Sequence, residues 1–524
     1  MNKRTILPMA ILALLASCSS EIDDVMQTDS KFDGQVTINV NPFEFDGETR
    51  TTLTLGINPE TGKEQLRFGW KDVEEIGVFP VYPVSNTQAH HVLSSYENQG
   101  TVSYFDGAGW SLTRGGTYAA YYPFDPTMTV AETYEDIEVR MTGQKQNGDA
   151  NLTHIGDGYD YMYAYETVPQ TGDMMFYFNH ATSIVQMNLT MPVAAKWTRI
   201  TVSSKGNNQV FITKAKMNAT NGNITPEATA SSVVLDLDNV ETTNGNMKLT
   251  LYLAMLPTTT GDVILTASTD GTYDYYVNLP SKKLVAGKAY RWTATLGSNP
   301  IYARDGQKNG EEYVDLGLSA MWATKNIGAL TKTDFGGYFA WGETEEKDTY
   351  NHATYKWSTG DDYTTIFKYT IDDNQQRVKP AWYNDNGEFI GDGISTLTRE
   401  DDVANVKTSG VLRMPTNDEI TELAACQHEW TNNYCGTGIQ GVIFYKKDAV
   451  IPPANKLSVA HIFLPAAGYK SEDEMIALNE YIGYWAKELG GYSDYGAYIY
   501  GTSKEITTGG TRRYDGLSVR GVIQ

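Results

Sequence analysis

The sequence contains little cysteine and little histidine. Only three cysteines, Cys18, Cys426 and Cys435, occur in 524 residues, which excludes a fold held together by a dense disulfide framework. The seven histidines do not join the cysteines at the spacings of a four-ligand zinc site. We therefore expect neither a metal site nor a cofactor.

Motifs for catalysis are also missing. The chain has no Gly-x-Ser-x-Gly elbow, no His-Glu-x-x-His pair and no Gly-x-x-x-x-Gly-Lys segment. These patterns supply the nucleophile of many hydrolases, the ligands of many zinc peptidases and the phosphate-binding loop of many nucleotide-hydrolysing proteins. No histidine lies in a recognisable acid–base constellation. The sequence thus predicts a protein that is not an enzyme and has no catalytic residues.

Positive charge is scarce. The chain has 41 Lys and Arg against 64 Asp and Glu, a formal net charge of −23. Because nucleic acids are bound through clustered basic residues, this balance argues against nucleic acid as a partner.

Long apolar runs are scarce as well. One run, Ile6 to Leu15, follows a positively charged start and precedes Ala16-Ser17-Cys18, the arrangement of a secretory signal. Leu15-Ala16-Ser17-Cys18 fits a lipobox, in which the cysteine is acylated and becomes the first mature residue. No other run approaches the roughly 18 to 20 residues that span a bilayer. We predict a lipoprotein signal peptide (1–17), an acidic tether (18–34) and a membrane anchor through lipid on Cys18.

Tyrosine and glycine are abundant, at 35 and 48 residues. Apolar and polar residues alternate over 35–41, 247–253 and 274–279, which is the pattern of half-buried strands. Turn dipeptides separate such segments, as in hairpins; they are Asn221-Gly222, Asn244-Gly245 and Asp270-Gly271. The first part is therefore predicted to be all-β, built as β-sandwiches.

The sequence pattern changes from alternating strand segments to helix signals after a boundary near 296–300. Thr416 and Glu419 have the spacing of a helix capping box, and a second helix is expected over 472–478. The C-terminal part is predicted to be α+β. The length that remains after the signal, 507 of 524 residues, suggests about three domains.

Several blocks of the first part resemble the fimbrillin family of Gram-negative anaerobes. They are Phe68-Gly-Trp70, Glu75–Phe79, Tyr118–Pro123, Asp160–Ala164 and Phe176–Ala181. The resemblance implies two tandem transthyretin-like β-sandwiches, over 35–170 and 171–297, as in type V pilus subunits and related surface lipoproteins.

The C-terminal part resembles the major paralogous domain of surface proteins, which is similar to C-type lectin-like folds. The segments that carry this likeness are Glu312–Ser319, Trp322–Thr324, Tyr338–Thr344, Leu412–Thr416, Phe463–Tyr469 and Leu517–Arg520. A linker over 298–311 and a C-type lectin-like domain over 312–524 follow from it. The calcium-binding triplet of calcium-type lectins is missing, so calcium-dependent sugar binding is not expected.

The fimbrillin resemblance further implies a proteolytic maturation site, with cleavage between Arg50 and Thr51. Cleavage removes the first strand and opens a groove for another pilus subunit's strand, a case of strand addition. The alternative is an ordinary exposed arginine between two strands. Because the chain continues into a globular domain where a donor strand is expected, the resemblance favours a filament tip or a lone lipoprotein over a shaft subunit.

The last segment is rich in Tyr, Ser, Gly and Asp with a few Arg, a composition typical of binding surfaces. Packing of a core is the alternative explanation for some of these side chains. The residues predicted to contact a ligand are Trp485, Tyr492, Asp494, Tyr495, Tyr498, Tyr500, Arg512, Arg513 and Tyr514.

Cys426 and Cys435 either close a small disulfide loop or remain unlinked thiols, and the sequence leaves both open. Taken together, the patterns and resemblances predict a surface-exposed lipoprotein of the outer membrane, or of a fimbrium. Its C-terminal domain is expected to bind a host or microbial surface glycan or protein. The alternatives are a structural anchor or assembly subunit of a pilus, and a glycan-capturing lipoprotein of an uptake system.

Overall fold

The computed structural model describes residues 32, 36–45, 55–57, 64–66, 70, 74–82, 89–97, 102–106, 112–128, 132–375 and 380–523. The sites predicted at Cys18, Arg50 and Thr51 lie outside these residues. Within them the chain is mainly β, as the alternating patterns predict. None of the described helices has both the length and the apolar character needed to cross a membrane.

The strands and helices are short and follow one another closely. The strands of the first half are β1 (Val36–Val40), β2 (Phe43–Phe45), β3 (Leu55–Ile57), β4 (Glu64–Leu66), β5 (Glu75–Tyr82), β6 (Ala89–Glu97), β7 (Val102–Asp106), β8 (Thr117–Tyr122), β9 (Ile137–Arg140), β10 (Gln144–Asn147), β11 (Met162–Thr167), β12 (Met174–His180), β13 (Ser183–Thr190), β14 (Ala195–Ser204), β15 (Phe211–Met217), β16 (Ile224–Ala230), β17 (Ser232–Thr242), β18 (Lys248–Met255), β19 (Val263–Thr269), β20 (Tyr273–Leu279) and β21 (Lys288–Thr295). Those of the second half are β22 (Ile301–Tyr302), β23 (Gly306–Lys308), β24 (Glu311–Val314), β25 (Trp322–Asn326), β26 (Leu412–Arg413), β27 (His428–Thr431), β28 (Gly441–Tyr445), β29 (His461–Pro465), β30 (Tyr469–Ser471), β31 (Glu474–Ile476), β32 (Ile482–Leu489), β33 (Tyr495–Gly501), β34 (Ile506–Arg512) and β35 (Arg520–Ile523). The α-helices are α1 (Thr153–Gly156), α2 (Val403–Lys407) and α3 (Asn417–Ala424).

Seven strands form an N-terminal sheet that closes on itself, in the order β1-β12-β11-β8-β5-β6-β7. β1 completes it by pairing in parallel with β12 on one side and antiparallel with β7 on the other. The side chains of Val36, Ile38 and Val40 point into a core that also contains Phe176 and Phe178. This alternation of buried positions is the period-two pattern that the sequence displays.

Two six-stranded sheets follow and pack face to face. Their orders are β10-β17-β14-β19-β20-β22 and β18-β13-β21-β2-β4-β3. The core between them is apolar and well filled, with Trp197, Leu251 and Trp292 among its members. Strands such as β14 and β21 alternate buried and more exposed residues, because one face of each packs in this core and the other does not.

The predicted division of the first part at residue 170/171 does not match the strand pairing. β12, which lies beyond that position, belongs to the N-terminal closed sheet, whereas β2 and β10, which lie before it, belong to the sandwich. One core cluster runs through both, from Phe43 and Tyr121 to Tyr252. The physical reason is that a strand's pattern sets which face is buried but not which strand becomes its neighbour.

The C-terminal module contains smaller sheets joined by long connections. Its largest sheet has the order β23-β24-β25-β35-β26, and the antiparallel sheet β32-β33-β34 stands beside it. The segment 298–311, predicted as a linker, is paired at both ends. β22 adds to the sandwich through β20, and β23 adds to the C-terminal module through β24.

The local predictions for this module have mixed outcomes. The Thr416 side chain accepts from the Glu419 N–H, and the Glu419 side chain accepts from the Thr416 N–H, so the capping box at the start of α3 is confirmed. The helix expected over 472–478 is wrong, because residues 472 and 473 connect β30 to β31 and residues 474–476 are β31 itself. Glu472 and Ala477 have positive φ values of 54° and 53°, a backbone conformation that does not continue a helix.

Candidate functional site

The sheet β32-β33-β34 positions most of the side chains that the sequence singles out. Its strands are antiparallel neighbours, with Tyr498 opposite Trp485 on one side and Gly509 on the other. The small residue at 509 leaves room for an aromatic ring, since a Cβ there would lie 3.0 Å from the Tyr500 ring. Tyr498 and Tyr500 stack with ring centroids 4.5 Å apart and an interplanar angle of 11°.

Beside this sheet lies a cavity of about 530 Å³, which we call the tyrosine cavity. One wall comes from β33, β34 and the turn after it, and the other comes from β30, β31 and the segment before β32. The residues that line it are Tyr469, Ser471, Ile476, Ala477, Tyr481, Tyr498, Thr511, Arg512, Asp515 and Leu517. Its volume is within the range of small-molecule sites.

The tyrosines of the tyrosine cavity contact one another through a hydrogen bond and through their rings. Tyr481 donates its hydroxyl hydrogen bond to Tyr498 over 3.2 Å, and its ring lies edge-on to Tyr469 at 5.8 Å. Burial raises the pKa of Tyr481, with the Tyr498 hydroxyl as the next largest cause. The Tyr481 phenol is therefore neutral over the physiological pH range.

Asp515 is the unusual residue of this cavity. It is only 4% exposed, and its Oδ1 has no hydrogen-bond partner among the described residues. Burial raises the pKa of Asp515 to about 6, whereas the Ser471 hydroxyl and the Arg512 guanidinium act in the opposite direction. A buried carboxylate oxygen without a partner is costly, and native structures seldom keep one without a reason.

The structure separates the predicted ligand contacts into different environments. Tyr498 and Arg512 line the tyrosine cavity, and Tyr500 stacks against Tyr498. Tyr492 is half exposed and packs against Tyr495 at 6.0 Å. Two further residues make local contacts: Asp494 accepts a hydrogen bond from Gln375 over 3.0 Å, and Tyr514 lies edge-on to His352 at 4.3 Å.

Trp485 and Arg513 are buried in the C-terminal module. Trp485 donates from Nε1 to the Phe339 carbonyl over 2.8 Å. Arg513 donates to the Tyr355 hydroxyl and to the carbonyls of Tyr369, Ser493 and Lys368 over 2.7 to 3.0 Å. β34 ends at Arg512 and the chain turns at Arg513, so the exposed Arg512 is followed directly by a buried arginine.

Tyr469, Tyr481 and Asp515 are cavity residues that the sequence did not reveal as a group. Asp515 directly follows the Arg512-Arg513-Tyr514 block. This position next to predicted ligand contacts was the one signal in the sequence that could have indicated it. The two tyrosines reach the cavity only through the pairing of β30 with β31 and the turn into β32, which no local pattern indicates.

At the other end of the molecule, β1 and β2 form one segment that holds the closed sheet to the sandwich. Between the two strands, the Asn41 N–H donates to the Phe178 carbonyl over 3.0 Å. The His180 Nε2 donates to the Asn41 carbonyl over 2.6 Å, and its ring stacks on Phe43 at 3.7 Å. His180 Nδ1 in turn lies 2.6 Å from Asp160 Oδ1.

Comparison with known families gives one match. Residues 49–309 match the family described as fimbrillin-like. We call these residues, which are similar to that family, the fimbrillin-like part. A comparison with curated proteins gives no match.

Several solved structures are similar to about half of this chain. A candidate cell adhesion protein of Bacteroides ovatus is 16% identical, covers 52% of this chain and 97% of its own, with a TM-score of 0.35. A second one, from Bacteroides uniformis, is 18% identical and covers 51% and 93%, with a TM-score of 0.33. A fimbrial assembly protein of Parabacteroides distasonis is 10% identical and covers 52% and 95%, with a TM-score of 0.27.

The fimbrillin-like part meets the C-terminal module through polar contacts. Asp334 accepts from the Ser231 hydroxyl over 2.7 Å, and Lys332 donates to Asp274 over 3.2 Å. Gly206 N–H donates to the Thr437 carbonyl over 2.8 Å. A small cavity of about 90 Å³ remains between the two parts.

Cys426 and Cys435 are free thiols in the structure, so the disulfide that the sequence left open is not formed. Cys426 ends the turn after α3 and packs into an apolar core, and burial raises the pKa of its thiol. Cys435 instead lines the small cavity between the fimbrillin-like part and the C-terminal module. Among the described residues, no group of three or more His, Cys, Asp and Glu side chains is arranged to hold a metal ion.

Proposed function

We propose that the protein is a cell-surface fimbrillin-type subunit that carries an adhesive module at its C-terminal end. The observation that carries this proposal is the fimbrillin-like match over 49–309, joined through a polar interface to a module with its own cavity. In this proposal the C-terminal module has a C-type lectin-like fold and binds a glycan or protein on a host or microbial surface. The role is one of binding and assembly rather than catalysis.

Lipid on Cys18 anchors the chain to the outer membrane in this proposal. The chain between Cys18 and Phe32, whose side chain packs in the core of the closed sheet, then serves as the tether. Display on the outer face fits the acidic residues that follow Cys18.

Cleavage between Arg50 and Thr51 would convert the anchored form into a pilus subunit. It would release β1 and β2 together, because both precede Arg50. Loss of β1 would expose the main-chain groups of β7 and β12 and the apolar groove that Val36, Ile38 and Val40 fill. A strand from another pilus subunit restores such pairs by strand addition, and an open edge without one invites aggregation.

The mature N-terminus tests this proposal directly. Mass spectrometry of protein released from the outer surface of intact cells is expected to find chains that begin at Thr51. Arg50→Ala should abolish that form, whereas the matched variant Arg67→Ala should leave it unchanged.

A lipid-modified start at Cys18 in all surface protein would contradict cleavage and would favour the anchor role, with β1 permanently in place. Protein found only inside the cell would contradict the surface role as a whole.

A further inference from the structure

The tyrosine cavity contains an acceptor that the protein itself leaves unused. Asp515 Oδ1 is buried and has no partner among the described residues. Leaving a buried acceptor without a donor costs free energy comparable to a lost hydrogen bond. A bound molecule that donates a hydrogen bond there would remove this cost.

The charges beside Asp515 constrain the charge of that molecule. Arg512 lines the same cavity and lowers the pKa of Asp515, and Glu472 acts in the opposite direction from the turn between β30 and β31. One base and one buried acid on the wall give neither a cation nor an anion a clear advantage. They suit a neutral molecule that presents a donor next to an acceptor, as two adjacent hydroxyl groups do.

The rest of the lining combines apolar and polar side chains. The tyrosine rings, Ile476, Ala477 and Leu517 supply the apolar surface, and Ser471 and Thr511 supply hydroxyl groups. A sugar ring matches such a wall, because its C–H face is apolar while its edge carries hydroxyl groups. The volume of about 530 Å³ accommodates one or two sugar rings.

We propose that the tyrosine cavity binds a ring of a neutral saccharide, with a hydroxyl group donating to Asp515 and the ring face against the tyrosines. The inference rests on the proposed function, since it assigns the ligand class and the location of the adhesive site within the C-terminal module. Tyr498 and Arg512 are then the two sequence-predicted residues that take part. Tyr469, Tyr481 and Asp515 are the additions.

The test uses the purified full-length chain and four probes, the methyl glycosides of glucose, galactose, mannose and N-acetylglucosamine. Saturation-transfer difference NMR is expected to show transfer to the ring protons of at least one glycoside, and calorimetry gives its affinity. Asp515→Asn should weaken binding about tenfold or more, because a hydrogen bond to a charged group is lost. Tyr469→Ala should also weaken it, and the matched surface variant Asp448→Asn should leave it unchanged.

Two outcomes would overturn the inference. Binding of choline or of a methyl sialoside, but of no neutral glycoside, would show that the cavity selects charge. Equal affinity of Asp515→Asn and the unaltered chain for a neutral glycoside would place the site elsewhere.

The proposed function can fail separately from the inference. If the chain is displayed on cells and attaches them to a surface, yet binds no glycoside, the saccharide assignment fails and the surface role stands. If it binds a glycoside but never reaches the cell surface, the surface role fails instead.

Discussion

Asp515 makes the protein less stable at neutral pH than it would be with a neutral side chain. Its pKa is raised from 3.8 to about 6, mainly by burial. The unfolded chain therefore loses the proton at lower pH than the folded chain does, and stability falls as the pH rises from about 4 to about 6. The shift corresponds to a cost of up to roughly 3 kcal/mol above that range.

We predict that Asp515→Asn raises the free energy of unfolding at pH 7.5 by up to about 3 kcal/mol and changes it little at pH 4. Urea denaturation at both pH values measures the difference, with Asp448→Asn as the control for a simple change of surface charge. An equal effect of Asp515→Asn at the two pH values would contradict the raised pKa. A stabilised variant that has lost saccharide binding would mark Asp515 as a residue kept for function.

The side-chain amides of two glutamines in β10 form hydrogen bonds with the backbone of β18, in the way that a paired strand would. Gln146 accepts from the Tyr252 N–H over 2.8 Å and donates to the Thr250 carbonyl over 3.2 Å. Gln144 accepts from the Ala254 N–H over 2.9 Å and donates to its carbonyl over 2.8 Å. β18 is the outer strand of its sheet, and these amides occupy the edge that another chain would otherwise pair with.

Gln146→Leu is expected to destabilise the protein by roughly 1–3 kcal/mol, because it leaves the Tyr252 N–H unpaired, whereas the Thr250 carbonyl still accepts from the Ala150 N–H. Urea denaturation measures this loss, and size-exclusion chromatography detects association through the uncovered edge. Lys145→Leu, on the opposite and exposed face of β10, is the matched control. A loss of stability no larger than that of Lys145→Leu would argue against the role of the amide.

The strands and hairpins also show how much of the fold the sequence predicts. Alternation correctly places β1, β18 and β20, and Asn221-Gly222 correctly joins β15 to β16. Asn244-Gly245 does not make a hairpin, because β17 and β18 go to different sheets. Strand identity is a local property, whereas the choice of partner depends on the whole chain.

The candidate site is limited in the same way. Composition indicated the segment that contains Tyr498 and Arg512, but it could not tell the exposed Arg512 from the buried Arg513. Composition also could not show that Tyr469 and Tyr481 lie beside Asp515. The β30–β31 hairpin, which is distant from Asp515 in the sequence, places them there. Burial and long-range pairing are properties of the folded molecule and have no local signature.

For the whole molecule, one buried carboxylate joins the two parts at their interface. Asp334 is 8% exposed and accepts from the backbone N–H groups of Leu330 and Thr331 over 3.0 and 2.8 Å. Its other oxygen accepts from Ser231 in the fimbrillin-like part. It thus fixes the loop that also carries Lys332 to Asp274.

We predict that Asp334→Ala uncouples the two parts, so that calorimetry resolves two unfolding transitions where the unaltered chain unfolds more cooperatively. The physical reason is the loss of hydrogen bonds to a buried charged group, each worth about 1.5–3 kcal/mol. Asp361→Ala, at an exposed position of the same module, should leave the calorimetric profile unchanged. A profile of Asp334→Ala identical to that of the control would show that other contacts hold the parts together.

The largest sheet of the C-terminal module pairs Trp322 with Val522, and β35 is its fourth strand, between β25 and β26. A chain that crosses a membrane from its N-terminus delivers β25 long before β35. During that interval β25 has β24 on one side and no strand on the other, and the apolar residues that β35 covers stay exposed, a condition that favours aggregation. If the chain is exported, as the proposed surface role requires, a chaperone is therefore expected to protect the C-terminal module until its last strand arrives.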